Sequence, residues 1–404
     1  MRPATPRVVL VIENIAFAKD HRLRKQATAL LAAGYRVSVV CRRDPRNQTC
    51  VPGVQVVDYP APKDGSSKAA FVWEYGYSLL MAGWALLRIF IREGFDVLQL
   101  SSTPDIYFLL AIPYRWLGRR VIFDYKDLSP ETYAARYGST SGPMYRALLV
   151  MERASLRAAD QVLVVNGSLR DLARERGGVA PERITIVGNG PTLDRLAGRE
   201  PRPELRRGRD HLCVWVGMIS PQDHLDLAVR TFAQLVVDLG RTDCGFTVIG
   251  IGDSLPSVQA LARELGVEDY VHFAGWAEPD LVFDYLATAD LGVEPGLEDF
   301  VSPVKAMEFM AAGLPFVAYD VQETVAIAEG AAAYAGPGDT KAMAGLIDAL
   351  LDDPARRREM GLLGAQQVRD VLAWEHQAQR YIAVVSDLVS SVAGGRTGRG
   401  KGSP

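Results

Sequence analysis

The stretch Ser302-Pro303-Val304-Lys305-Ala306-Met307-Glu308-Phe309-Met310-Ala311-Ala312-Gly313-Leu314-Pro315-Phe316-Val317-Ala318 reads as a helix start, one short helix, a glycine stop and a buried strand. Ser302 is placed to cap the helix, and Pro303 fits its first position, where no amide hydrogen is needed. Gly313 suits the residue just past a helix end, and Pro315 bars continuation. Lys305 and Glu308 stand three residues apart and so share one helical face. The helix N-terminus offers free amides and a positive dipole end, to which Lys305 adds a cation and Glu308 a carboxylate. Together these suit a ligand with a phosphate at one end and sugar hydroxyls at the other. The plain alternative is a solvated Lys–Glu pair worth a few tenths of a kcal/mol.

Ahead of this helix, residues 211–216, 245–250, 270–273 and 290–294 are strand-like, 222–239 and 254–265 read as helices, and 315–319 continues the series. The first half shows the same alternation, with strands at 8–12, 35–41, 54–59, 95–100, 120–125 and 161–166 and helices at 20–33 and 73–91. Apolar strands alternating with helices imply parallel sheets covered on both faces. The fold class is therefore α/β, two doubly wound, Rossmann-like domains facing across a cleft, with ligand sites at the C-terminal strand ends. Residues 197–209, rich in Arg, Pro and Glu without apolar period, read as the link, giving domains 1–196 and 197–372. Helical patterns at 341–351, 355–371 and 373–389 follow, and the Gly-rich residues 393–404 read as a disordered tail.

With 404 residues and 48% apolar content the chain can build real cores. A net charge of -3 gives no sign of a bulk nucleic-acid binder. The four cysteines lack metal spacing and the five histidines are scattered, so no metal site is expected, and a reducing cytoplasm is the simplest location. The longest uncharged apolar run, near 75–87, is too short to span a bilayer.

The strand-end loops carry the remaining polar signals. Gly250 and Gly252 follow one strand and open a helix, which suits either a phosphate or a tight turn, and Gly217 carries the same ambiguity. Asp124, Lys126, Asp127 and Glu131 cluster after another strand; they fit sugar or proton handling, or ordinary helix capping. Trp73, Tyr75, Tyr77, Trp84, Phe90, Phe95, Tyr107, Phe108, Tyr114 and Trp116 lie among Arg88, Arg92, Arg115, Arg119 and Arg120. That mixture suits a membrane-interface surface at the inner membrane face, or a core with a solvated basic rim.

The order of these motifs resembles the family 4 retaining glycosyltransferases of GT-B architecture. The resemblance spans nearly the whole chain, through residues 20–37, 123–131, 169–190, 216–226, 248–253, 273–290 and above all 302–317, with Trp374-Glu375-His376 similar to the family's last helix. It implies transfer of a sugar, with retention, from a nucleotide-diphosphate donor, UDP-linked, to a glycan, lipid-linked or small-molecule acceptor, without metal, in glycan, glycolipid or glycosylated-metabolite synthesis. It also implies a final helix, 373–392, that returns to the N-terminal, acceptor-binding domain. By resemblance the donor contacts are Glu308 on the ribose, Gly217, Gly250 and Gly252 along the diphosphate, Trp276 and Ala277 at the base, with Ser302, Met218, Asp223 and Asn189 nearby. Lys305, Asp299, Asp127 and Lys126 are the implied catalytic groups, and Asn14, Asp20, Arg22 and Glu131 the implied acceptor contacts.

Several positions depart from the family pattern. Met218 and Asp223 stand where many members carry the arginine and lysine that grip the diphosphate. Residues 218–226 look like a Gln-Asp-Gly-x-Asp variant found in a subset, with His224 in place of its glycine. Phe300 stands where the family has a carboxylate eight residues before Glu308, leaving Glu298 or Asp299 to substitute. Lys126 replaces the histidine often found before Asp127. These departures keep alive a catalytically impaired binding or partner protein on the same scaffold, and less strongly a nucleotide-sugar epimerase. A dehydrogenase is disfavoured, because Glu13-Asn14-Ile15-Ala16 follows the first strand instead of a glycine fingerprint.

Overall fold

The computed structural model describes residues 5–61, 68–103, 105–137, 140–193 and 199–398, with the side chains of 68–72, 135–136 and 393–398 left aside. It divides into two compact units, Met1–Gly188 with Gln377–Pro404, and Asn189–His376. The sequence reading placed these crossings at 196/197 and 372/373.

In the first unit the chain runs β1 (Arg7–Val11), α1 (His21–Ala32), β2 (Arg36–Arg42), β3 (Gln55–Tyr59), α2 (Lys68–Arg92), β4 (Val97–Ser101), α3 (Phe108–Trp116), β5 (Arg120–Tyr125), α4 (Ser129–Tyr137), α5 (Pro143–Ala158), β6 (Gln161–Val164), α6 (Gly167–Gly177) and β7 (Ile184–Ile186). In the second it runs β8 (His211–Val216), α7 (Leu225–Ala233), β9 (Cys244–Ile249), α8 (Leu255–Glu264), β10 (Val271–Gly275), α9 (Pro279–Thr288), β11 (Leu291–Glu294), α10 (Val304–Ala311), β12 (Phe316–Tyr319), α11 (Gln322–Ala328), β13 (Ala332–Ala335), α12 (Thr340–Leu351) and α13 (Pro354–Gln367). The last helix, α14 (Trp374–Gly398), lies mostly in the first unit.

Each sheet is parallel throughout, seven strands in the order β3-β2-β1-β4-β5-β6-β7 and six in the order β10-β9-β8-β11-β12-β13. The order reverses between β1 and β4 in one and between β8 and β11 in the other, where a doubly wound sheet leaves a crevice at its strand ends. The strands β1, β4 and β9 are buried along their full length, as parallel strands covered on both faces require. The expected α/β architecture of two Rossmann-like sheets is thus observed.

A buried polar network fastens the first unit. Arg22 on α1 forms a two-pronged bond with Asp124 of β5, Nη2 to Oδ1 at 2.7 Å and Nε to Oδ2 at 3.0 Å, and gives Nη1 to the Val187 carbonyl at 2.7 Å. Gln26 also donates to Asp124 at 3.0 Å, Gln99 donates to Gln26 at 2.9 Å, and the Tyr381 hydroxyl donates to Gln99 at 2.7 Å. α14 is therefore bonded to β4 and, through Gln26, to α1, and Gln377 accepts from the Gly188 amide at 3.0 Å. The C-terminal helix returns to the N-terminal unit as expected.

Locally the structure departs from the expectations or adds to them. Residues 199–209 are no free link: Arg199 pairs with Asp280 and Asp284, Arg202 with Asp284, and Arg206 with Asp290, so the basic run is bound to α9 and its C-terminal end by matching charge. The helix expected from 222 starts at Leu225, because Ser220 and Asp223 cap a separate short turn over Pro221–Asp223. Strands β7 and β13 went unread; β13 is Ala-Ala-Tyr-Ala, with neither β-branched residues nor alternation. α14 runs on to Gly398, past the start of the tail read at 393, and 399–404 lie outside the described residues.

Arg22→Met leaves Asp124 charged and buried without its main partner. Its expected cost is about 3–5 kcal/mol, read as a lowered urea midpoint for the first unit, whereas Tyr381→Phe costs about 1 kcal/mol.

Candidate active site

The second unit gathers its polar side chains at the β8/β11 reversal. The loop after β8 brings Gly217 to Asp223, the loop after β11 brings Glu294 to Asp299, and α10 follows directly. Gly313, at φ 67°, ends α10 as expected. Ser302 does not cap it; Pro303 holds the cap position and no side chain caps the helix, while the Val304 amide donates to the Ser302 carbonyl at 2.8 Å. The mistake follows from placing Pro303 at the first helical position, when its ψ of 68° lies outside the helix.

Lys305 is the centre of this group. Its Nζ lies 2.6 Å from Asp223 Oδ1 and 4.9 Å from the centre of the buried Trp215 ring. Burial opposes its charge, but the carboxylates of Glu294, Asp223 and Glu308 outweigh that and hold its pKa above that of a free lysine. Glu308, half-buried one turn along α10, is close enough to share in this field. Glu294 was not singled out from the sequence, although a carboxylate ending the apolar strand Leu-Gly-Val-Glu was a visible signal. Burial pushes its pKa up, with Lys305 drawing it back. Its Oε1 accepts from the Gly296 amide at 3.2 Å, and its Oε2 has no hydrogen-bond partner among the described residues.

The glycines have a packing explanation. A Cβ on Gly250 would sit 1.8 Å from the Gly217 carbonyl oxygen, and one on Gly252 2.2 Å from that of Ile219. The loops after β8 and β9 touch backbone to backbone, so glycine is required there with or without a phosphate. His224 stands at φ 48°, which costs a residue with a side chain on the order of 1 kcal/mol, and its Nε2 lies 3.1 Å from Glu298 Oε1. Asp299 is turned to α11, accepting from the Gln322 amide at 3.2 Å. Met218 and Trp276 are largely exposed, Ala277 and Asn189 half-buried. Nothing covers most of the Trp276 ring, a flat surface able to stack on a base.

The first unit gathers a second set at the ends of β1, β4 and β5. Asp20 caps α1 by accepting from the Leu23 amide at 2.7 Å, and its other oxygen meets Lys126 Nζ. The Ser102 hydroxyl accepts from the amides of Lys126 at 3.0 Å and Asp127 at 2.9 Å, fixing that turn. Burial, with Asp20 and Asp124 close by, pushes the Asp127 carboxyl up while Lys126 pulls it down. Glu131 pairs with Arg176, which also meets buried Glu152. Asn14 is exposed at the end of β1. Arg22, expected to meet an acceptor, is instead enclosed and spent on Asp124 and Val187. Asp105 was missed: it is buried, and burial pushes it up to about 7, with Ser129 drawing it back.

Among the described residues no group of three or more His, Cys, Asp or Glu is arranged to hold a metal ion, and no described helix is long and apolar enough to cross a membrane.

Residues 20–190 match the family described as glycosyl transferase 4-like domain, and residues 210–353 match glycosyl transferases group 1. The two matches divide as the two sheets do. The chain belongs to the group 1, family-4-like glycosyltransferases of GT-B fold, enzymes that draw on nucleotide-sugar donors. Among its relatives, a glycogen synthase of Mycobacterium tuberculosis is 26% identical over 385 residues, covering 88% of this chain and 89% of that one. A D-inositol 3-phosphate glycosyltransferase of Thermomonospora curvata is 29% identical over 284 residues, 64% of each. The fold matches sucrose-phosphate synthase from Thermosynechococcus elongatus with a TM-score of 0.75 at 19% identity, over 96% of this chain and all of that one. It matches Anabaena HepE, crystallised with UDP-glucose, with a TM-score of 0.72 at 15% identity, over 94% and 99%.

The Asp105 carboxyl gives a pH test. Its folded pKa lies above the ordinary aspartate value of 3.8, so the neutral acid's contribution is complete below about pH 4 and is lost as the pH rises through about 7. Asp105→Asn keeps the neutral form throughout. The variant is expected to show a flatter melting-temperature profile from acid to alkaline pH, and at pH 8 to exceed the parent by on the order of 2–4 kcal/mol. A profile parallel to the parent's contradicts this.

Proposed function

We propose that the chain moves a sugar from a UDP-linked donor to an acceptor hydroxyl, with retention, and that the nucleotide lies against the second unit at the β8/β11 strand ends. The observation that carries this is the uncapped N-terminus of α10 with Lys305 one residue inside it and Glu308 one turn on. As the glycosidic bond breaks, negative charge grows on the β-phosphate, and donors already in place lower the barrier without reorganising. Lys305 and the first amides of α10 fill that role in this reading, and Glu308 accepts from the ribose hydroxyls. Trp276 stacks on the base. The UDP-linked choice draws support from the ligand with which HepE was crystallised. No metal ion is asked for. Ser302, Gly217, Met218, Gly250, Gly252, Ala277 and Asn189 line the donor, while Asn14, Asp20, Lys126, Asp127 and Glu131 face the acceptor and the transferred sugar. The product serves glycan, glycolipid or glycosylated-metabolite synthesis.

One contact favours a second reading. Lys305 is already neutralised by Asp223, so a donor phosphate has to share or displace that carboxylate. If it cannot, the chain binds nucleotide sugar without turning it over.

A thermal-shift screen of nucleotide sugars, followed by detection of released nucleoside diphosphate with candidate acceptors, separates the two, since a ligand bound only by the fold raises its apparent stability. On the catalytic reading Lys305→Met lowers kcat by about 10²–10³-fold, and Glu308→Gln raises the donor KM with a smaller change in kcat. Full activity of both variants overturns the site. Stabilisation by a nucleotide sugar without release from any acceptor supports the binding reading.

A further inference from the structure

The helix α2 presents an unusual outer face. Trp73, Tyr77, Leu80, Trp84, Leu87 and Ile91 recur at spacings of three and four and so form one stripe. That stripe faces away from the core: Leu80 is 75% exposed, Ile91 74%, Trp73 68% and Trp84 64%. The opposite side, with Ala82, Ala85, Leu86 and Ile89, is buried in the unit. No charged residue occurs from 75 to 87. The helix α3 adjoins it, with the Phe90 and Tyr114 rings 5.3 Å apart, and adds Leu109, Leu117 and Trp116, the last 84% exposed. Of the aromatic region read from the sequence, Phe95, Tyr107 and Tyr114 are core, while the three tryptophans lie outside it.

The charges beside the stripe are sorted. The acids next to these helices are each paired within the unit, Glu74 with Arg42, Glu93 with Arg7 and Arg36, Asp96 with Arg119, and Asp160 with Arg115 and Arg120. Arg88 and Arg92 are exposed at the C-terminal end of α2 with no carboxylate paired to them among the described residues. An apolar, tryptophan-bearing face edged by unpaired arginines matches an interface whose headgroups are negative and whose interior is apolar. A second copy of the chain would set the same face, its acids already paired, against itself and give Arg88 and Arg92 no counter-charge. We propose that α2, with α3, is a docking surface for an anionic lipid bilayer, the helix lying in the plane of the interface. The inference does not depend on the donor site.

The test is sedimentation of the full chain with phosphatidylglycerol–phosphatidylcholine vesicles and with pure phosphatidylcholine vesicles, at low and high salt. Binding is expected to the anionic vesicles and to weaken with salt. Arg88→Gln with Arg92→Gln is expected to weaken it about 25-fold, at roughly fivefold per arginine. Leu80→Ser with Trp84→Ser is expected to abolish it, while Leu362→Ser, at an exposed position of the other unit, leaves it unchanged. Unaltered melting temperatures check the fold of each variant. In the unmutated chain, brominated lipid is expected to quench part of the tryptophan fluorescence, a readout that needs no variant. Absence of vesicle binding overturns the proposal. So does binding that both double variants retain, or a dimer in sedimentation velocity that Trp84→Ser dissociates while vesicles leave the chain untouched.

Discussion

A parallel sheet whose strand order reverses leaves two neighbouring strand ends with no crossover between them, and each sheet of this chain is built around one such place. In the second unit the reversal sets β8 beside β11, so the loops that follow them meet α10 in a small volume. Chain direction alone brings Asp223, Glu294 and Lys305 together across more than 80 residues of sequence. In the first unit the reversal between β1 and β4 does the same for Asp20, Ser102 and, from the adjoining β5, Lys126.

Within that frame the charge on Lys305 governs the rest of the second site. A half-buried ammonium is unfavourable on its own, and here it is stabilised by surrounding carboxylates and by the face of Trp215. The same carboxylates depend on it in turn: Lys305 draws the buried Glu294 carboxyl down against the effect of burial. A ligand phosphate arriving at this point therefore enters a set of balanced charges. It gains Lys305 and helix amides, but it also meets Asp223. In the proposed donor site the strength of binding is a difference between these terms, so Met218 and Asp223, at positions where the resemblance implies a basic grip, bear on it together.

The sheets were legible in the sequence because apolar strand runs and helical periods are strong local signals. The C-terminal end of α10 was legible because Gly313 and Pro315 act through the local backbone alone. Its start was not, since proline is compatible with both the cap and the first helical position, and ψ decides between them. The roles of the glycines were ambiguous for a related reason: a residue without a side chain is demanded equally by a phosphate and by another backbone, and the approaches of Gly250 to Gly217 and of Gly252 to Ile219 show the second at work. Arg22 was misjudged because charge is visible in sequence and burial is not. The partners that enclose it, Asp124 and Val187, lie 102 and 165 residues away. Asp105 was passed over because a lone acid at a turn carries no motif, and Glu294 because its place at a strand end, though visible, does not show what surrounds it; their abnormal surroundings arise only on folding.

The two kinds of arginine in the first unit make the complementary point. Arg7, Arg22 and Arg42 are each held by at least one carboxylate, and their number is balanced within the fold. Arg88 and Arg92 have no such partner among the described residues, and they lie next to a helix face that also lacks the polar residues by which a solvent-facing helix usually keeps to water. Apolar exposure of this extent is costly to keep in a folded chain unless something else covers it part of the time. The arginines limit what that can be, because a purely apolar partner would leave them unmatched and a basic one would be repelled. Shape and charge at this face thus point the same way, independently of the chemistry at the strand ends.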